Sequence, residues 1–136
     1  MMPHMATAAD WKNEPLPARH VRLTLDFRLD ATESECARKG LIPLEMEDKW
    51  FLYYAGETLH LHRSWTGFCI ARVHFVPDGD GLRAISAEVN RDPGQYTASD
   101  DVADIDLIER MVRGMGASQL YAEQRREWLG MPPHTQ

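Results

Sequence analysis

Residues 49–90 read KWFLYYAGETLHLHRSWTGFCIARVHFVPDGDGLRAISAEVN, and their pattern predicts most of the sheet. The stretch holds four runs of the aromatic and β-branched residues typical of strands, separated by short segments rich in glycine, proline and aspartate. Trp50 and Phe75 within these runs are predicted to be largely buried. Connections this short join neighbouring strands in opposite directions. The stretch therefore predicts an antiparallel meander with strands over 49–54, 58–64, 68–76 and 82–90.

A further strand and a short helix are predicted before this block. Residues 21–29 alternate between apolar and polar side chains, the period-two pattern of a strand with one buried face. After it, Thr32 or Ser34 is predicted to cap a short helix that runs through Lys39 and ends at Gly40.

Two helices are predicted after the sheet, over 102–113 and 118–129. Ser99 or Asp100 is expected to cap the first of them, and the two glycines that follow it are expected to end it. The order of all the elements predicts an α+β fold, in which an antiparallel four- to five-stranded sheet is packed by two or three helices.

The chain is predicted to form one domain over residues 20–130. Residues 1–19 are expected to be a flexible N-terminal arm, because Pro15 and Pro17 oppose regular structure there. Residues 131–136 contain two consecutive prolines and are expected to be a frayed tail.

The charge distribution excludes some classes of partner. The formal net charge is −6, and the acidic excess lies in the flanks, because residues 49–90 carry four groups of each sign. No basic cluster is available for nucleic acid, and an acidic surface disfavours an anionic membrane. No run approaches the roughly 18 apolar residues that span a bilayer. An anionic small molecule remains compatible with the sequence, since one or two placed arginines can hold it.

The cysteines and the first residues predict a cytoplasmic protein. Cys36 and Cys69 form no CxxC pair, and residues 1–10 lack the basic start and apolar run of a signal peptide. Two unpaired thiols are typical of a reducing compartment. Cys69 falls in the middle of a predicted strand, where a buried and inert thiol is expected.

The strongest candidate binding residues lie where the second strand of the meander ends. Arg63 is followed by Trp65 and Thr66, and a guanidinium braced by an indole beside a glycine turn suits a phosphate or a carboxylate. His62 is a further candidate for the same site. The alternative is structural, with Arg63 in an ion pair with Glu47 or Asp48.

His60 and His62 share one face of their predicted strand, an arrangement known for two metal ligands. A third ligand is needed, and only His74 or Asp78 is close enough along the predicted sheet. Because the set is incomplete, we expect neither a bound metal nor a cofactor. The sequence also contains no GxSxG motif that would mark a serine nucleophile.

The loop after the last strand holds two secondary candidates, Arg91 and Tyr96. Loops positioned by a sheet often carry function, so Arg91 is included among the predicted ligand-binding residues. An ion pair between Arg91 and Asp92 at the rim of the sheet is the alternative interpretation.

The segments KWFLYY (49–54) and LHRSWTGFCI (61–70) resemble a signature of small uncharacterised bacterial proteins. A similar segment occurs beside ADP-ribose-processing domains of the macrodomain and ADP-ribosylglycohydrolase types. The resemblance covers residues 46 to 76, and it implies a contextual link to NAD or ADP-ribose chemistry. It assigns no catalytic residue.

Three functions are compatible with the sequence. The first is a ligand-binding or accessory module for an anionic group, such as a nucleotide or an ADP-ribosyl group. The second is a small enzyme, a hydrolase or transferase, in which His62 acts as general base and Arg63 stabilises negative charge. The third is an acidic protein that binds a protein partner, as an inhibitor or immunity protein does. The missing nucleophile and metal set favour the first over the second.

Overall fold

The computed structural model describes residues 5–44, 48–97, 100–128 and 130, and the structural statements below refer to these residues. The chain forms an α+β fold with one antiparallel sheet, as predicted. The sheet order is β1-β5-β4-β3-β2, so the four later strands form the predicted meander and β1 joins it beside β5. The strands are β1 (His20–Leu29), β2 (Trp50–Ala55), β3 (Thr58–Arg63), β4 (Cys69–Asp78) and β5 (Gly81–Asn90).

The three helices are α1 (Ala31–Lys39), α2 (Asp101–Arg113) and α3 (Met115–Trp128). Asp30 caps α1 by accepting a hydrogen bond from the Glu33 amide, so the prediction of Thr32 or Ser34 as the cap is wrong. An aspartate one residue before the helix can reach the free amides of the first turn, which residues inside the helix cannot do.

Asp100 caps α2, as one of the two alternatives predicted, while Ser99 lies outside the described residues. Gly114 ends α2 in a right-handed conformation, and α3 begins at the next residue. Gly116 therefore lies inside α3 and does not end a helix, and α3 starts three residues earlier than predicted. A single glycine within a helix costs only about 1 kcal/mol, which helix packing offsets.

The main core lies between the sheet and the helices. Leucines of β1 and β3 meet Ile108 and Val112 of α2 and Met115 of α3 there. Phe75 is 2% exposed, as predicted, whereas Trp50 is only partly buried and packs at the edge of this core. A smaller cluster on the opposite side of β2 contains Phe51 and Tyr53. Both faces of β2 are therefore covered.

The N-terminal segment, predicted to be a flexible arm, contacts this smaller cluster. Ala6 is 3% exposed and packs with Phe51 and Tyr53, and the Trp11 indole packs against the same cluster. A short 3-10 helix covers Ala8–Asp10. Three hydrogen bonds attach the segment to the domain: Ala6 N to Lys39 O, Trp11 Nε1 to Ser64 O, and Glu14 N to Gly67 O.

None of the described helices has the length and apolar character needed to cross a membrane. The predicted frayed tail at 131–136 lies outside the described residues.

Candidate functional site

A cleft of about 740 Å³ lies at the end of β3. It brings together three of the predicted binding residues, Arg63, Trp65 and Thr66. None of the described residues in its lining is acidic, although the protein as a whole carries a net charge of −6. The other lining residues that the structure describes are Lys49, Phe68, Gly94 and Gln95.

Arg63 is the central cation of the cleft, and Trp50 supports it. The Arg63 guanidinium carbon lies 4.5 Å from the centre of the Trp50 ring. The two residues are a directly opposed pair between β2 and β3, so their side chains share one face of the sheet. The contact with Trp50 was not expected from the sequence, where Trp65 was the predicted brace; Trp65 is 61% exposed.

The structural alternative for Arg63 was an ion pair with Glu47 or Asp48. The Asp48 carboxylate instead pairs with Arg125 of α3 and accepts a hydrogen bond from the Leu44 amide. Glu47 lies outside the described residues. Within the part of the chain that the structure describes, no carboxylate forms an ion pair with Arg63, and its guanidinium contacts the Trp50 ring.

A tight turn over residues 64–67 presents Trp65 and Thr66 to the cleft. Gly67 has a φ of +79°, a conformation that glycine adopts without strain. A side chain there would also approach the backbone of Lys12 and Asn13 to 3.3 Å. The Thr66 hydroxyl oxygen accepts a hydrogen bond from the Phe68 amide at 3.2 Å, which leaves its proton free to donate.

His62 does not line the cleft but anchors this turn from below. Its side chain is buried, and its Nδ1 lies 2.9 Å from the Gly67 carbonyl oxygen. A carbonyl only accepts, so Nδ1 carries the proton and Nε2 holds the lone pair. Burial lowers the pKa of His62, and the hydrogen bond to Gly67 opposes that shift. The predicted ligand-binding residue is therefore a neutral support for the turn.

His60 stacks on Tyr53, with ring centres 4.4 Å apart, and burial together with nearby positive charge lowers its pKa to about 4. The two candidates for a third metal ligand have other contacts. His74 contacts Thr58 and Glu88, and Asp78 pairs with Arg28 and Arg83. The described residues contain no group of three or more ligating side chains that could hold a metal ion.

Arg91, the fifth predicted binding residue, lies outside the cleft and joins the sheet to α2. Its guanidinium meets Asp101 at 2.9 Å and Asp104 at 2.7 Å, whereas Asp92 was the expected partner. Asp104 is buried and also accepts a hydrogen bond from the Tyr96 hydroxyl at 2.7 Å. Arg91 and Tyr96 therefore fix the two ends of the loop that contributes Gly94 and Gln95 to the cleft.

Four lining residues were missed from the sequence, and for one of them a signal was present. Gly56 and Glu57 both have positive φ angles and connect β2 to β3 by a two-residue turn. Such a turn fixes the register of a hairpin, which places the start of β2 opposite Arg63 and brings Lys49 beside it. Gln95 lies about thirty residues after Arg63 in the chain, and no local sequence pattern links it to this end of the sheet.

No protein-family model, no curated protein and no solved structure matches the chain. The resemblance to segments beside ADP-ribose-processing domains therefore stays a prediction, and function is argued from the cleft.

Proposed function

We propose that this protein is a small-molecule binding module that takes an anionic ligand in the cleft at the end of β3. The observation that carries the proposal is the charge of the lining. Among the lining residues that the structure describes, the ionisable side chains are Lys49 and Arg63, both are cationic, and the protein as a whole carries a net charge of −6. Two placed cations hold an anion even against an unfavourable net charge, because the interaction is local and screened only partly.

The setting of Arg63 supports recognition of a phosphate or carboxylate. The contact with the Trp50 ring limits the freedom of the guanidinium, and the N–H groups at the edge of its plane are its hydrogen-bond donors. A planar fork held in one orientation loses little freedom when it binds two oxygens. The Thr66 hydroxyl adds a neutral donor to the same cleft.

The aromatic side chains of the lining favour a ligand with a flat ring. The Trp65 indole is 61% exposed at the cleft, and Phe68 lines it as well. A volume of about 740 Å³ falls within the range of pockets that hold small molecules. Nucleotides and ADP-ribosyl groups combine a ring with phosphate, so they are the first ligands to test, and the resemblance of segments 49–54 and 61–70 supports the same choice.

The enzymatic alternative has less support. His62, the expected general base, is buried beneath the turn, and its Nδ1 proton is used on the Gly67 carbonyl. A general base must reach the proton that it removes within hydrogen-bond distance or through one water molecule. We therefore propose binding without chemistry at this cleft.

The test measures binding of AMP, ADP-ribose and inorganic pyrophosphate by calorimetry and thermal shift. Arg63→Lys keeps the charge but loses the fork, so we expect at least a tenfold loss of affinity for the compounds that bind, from the 1.5–3 kcal/mol typical of charged hydrogen bonds. Arg110→Lys, on an exposed face of α2, is the matched control and should bind like the wild type. An absence of binding to the wild type, or unchanged binding by Arg63→Lys, contradicts the proposal.

A further inference from the structure

The amide of Asn90, at the end of β5, has a fixed orientation. The side chain is fully buried, its Nδ2 donates to the Cys69 carbonyl at 2.9 Å, and its Oδ1 accepts from the Asp92 amide at 2.8 Å. A backbone carbonyl only accepts and a backbone amide only donates, so the reverse placement of the two side-chain atoms would break both hydrogen bonds. The direction of the Asn90 amide group is thereby determined.

Asn90 in turn orients Gln95. The second hydrogen atom of Asn90 Nδ2 is directed at Gln95 Oε1, at 2.9 Å. The Gln95 carbonyl oxygen therefore faces Asn90, and its NH₂ group is on the opposite side of the carboxamide. Among the residues that the structure describes, none accepts a hydrogen bond from this NH₂ group. Gln95 lines the cleft together with Arg63 and Trp65.

The loop that carries Gln95 is held at several points. The backbone amide of Gln95 donates to the backbone carbonyl of Asp92 at 2.9 Å, and the Tyr96 hydroxyl donates to the carboxylate of the buried Asp104. Arg91, at the start of the loop, pairs with the same aspartate. A donor on a loop fixed in this way is oriented before a ligand arrives, which limits the entropy lost on binding.

We infer that Gln95 is a specificity-determining residue, which donates its NH₂ group to an uncharged acceptor on the ligand. The inference rests on the proposed function, because it gives a role to a further residue that lines the same cleft, apart from the cations that hold the anionic group. Since the Gln95 oxygen already accepts a hydrogen bond from Asn90, the NH₂ group is the part of the side chain without a partner among the described residues, and this group recognises an acceptor. A carbonyl oxygen or a ring nitrogen is such an acceptor. The ligand is therefore a phosphate compound that carries a heteroaromatic base: a nucleotide or a nucleotide-containing molecule.

The experiment compares AMP and UMP with ribose 5-phosphate, which has the same phosphate and sugar but no base. The measured quantity is the ratio of nucleotide affinity to ribose 5-phosphate affinity. We expect the wild type to bind at least one nucleotide about tenfold more tightly than ribose 5-phosphate. Gln95→Glu keeps an oxygen that accepts from Asn90 but has no NH₂ group to donate to the ligand. Its negative charge lowers the affinity for all three anionic compounds by a similar factor. The ratio of nucleotide affinity to ribose 5-phosphate affinity should therefore fall close to one.

Two further variants keep the test decisive. Gln95→Met is neutral, so it should lower nucleotide affinity and leave ribose 5-phosphate affinity unchanged. Gln124→Glu makes the same charge change on the exposed surface of α3 and should keep the wild-type ratio. An unchanged ratio in Gln95→Glu, or equal wild-type affinity for nucleotides and ribose 5-phosphate, overturns the role of Gln95 and leaves the anion-binding proposal standing. If the wild type binds neither these compounds nor ADP-ribose nor pyrophosphate, both are overturned.

Discussion

At the scale of single residues, burial decides what the histidines on β3 can do. His60 and His62 alternate with core leucines, and their rings lie on the side of the sheet that the N-terminal segment partly covers. Their ring centres are 6.4 Å apart, and burial disfavours a positive charge on either. Both side chains are therefore packing groups that carry a polar edge, and His62 uses that edge to hold the turn next to the cleft.

The lowered pKa of His60 predicts a pH dependence of stability. The unfolded chain takes up a proton on this residue below about pH 6.5, whereas the folded protein does so only near pH 4. Over that interval the unfolded state binds more protons, so the free energy of unfolding falls as the pH falls. We expect His60 to account for about 1–2 kcal/mol of the loss between pH 7 and pH 5, after allowing for its partial exposure.

Urea unfolding of the wild type and His60→Gln at several pH values checks this prediction. The variant should lose less stability than the wild type between pH 7 and pH 5. Some dependence should remain, because the pKa of His62 is also lowered. The interval lies above pH 4.5, where the lowered pKa of Glu88 contributes little. Parallel curves for the two proteins would contradict the prediction.

At the scale of elements, a buried ion pair holds the loop after β5 against α2. Arg91 leaves the sheet and meets Asp104, whose side chain is 3% exposed, and Asp101, whose side chain is 62% exposed. The two aspartates thus offer the same chemistry at very different depths. Because removal of one member of a buried pair leaves a charge without compensation, the deeper contact should dominate.

Neutralising each aspartate in turn separates the two contacts. We expect Asp104→Asn to lower the free energy of unfolding by about 2–4 kcal/mol, since it leaves Arg91 without its buried partner. Asp101→Asn should cost less than about 1 kcal/mol, as is usual for an exposed pair. Chemical denaturation of both variants provides the measurement. Equal effects would mean that burial does not distinguish the two contacts.

At the scale of the whole molecule, the N-terminal segment joins the second hydrophobic cluster to the turn beside the cleft. Trp11 packs near Phe51 and donates a hydrogen bond to the Ser64 carbonyl at 2.8 Å. The Glu14 amide donates to the Gly67 carbonyl at 2.7 Å. These contacts reach both ends of the turn that presents Trp65 and Thr66. The segment is therefore part of the support for the proposed site.

Substitution at neighbouring positions distinguishes this arrangement from a loosely attached arm. Trp11→Ala removes a partly buried indole and its hydrogen bond, so we expect it to destabilise the protein by about 2–3 kcal/mol. Lys12→Ala changes an exposed side chain and should stay within about 0.5 kcal/mol of the wild type. Thermal and urea unfolding measure both. Near-zero effects for both variants would mean that the segment contributes no stability.

The strands could be predicted because their signals are local. The period-two run at 21–29 and the turn residues within 49–90 act over a few neighbours, and these set the five strands and the antiparallel meander. Helix starts were less predictable. Asp30 and Thr32 are both good capping residues, and only the point at which β1 ends decides which of them precedes the helix.

Local sequence patterns are enough to predict the fold class, the strand pairing within the meander, and the clustering of Arg63, Trp65 and Thr66 at one strand end. The partners of these residues depend on how the sheet, the helices and the loops pack. In the structure, Trp50 lies against Arg63, His62 lies outside the cleft, and Gln95 lines the cleft from the loop after β5. The physical reason is range: a hydrophobic period or a turn acts between neighbours in the chain, whereas a cleft is formed by side chains that meet only after the sheet and the helices have packed.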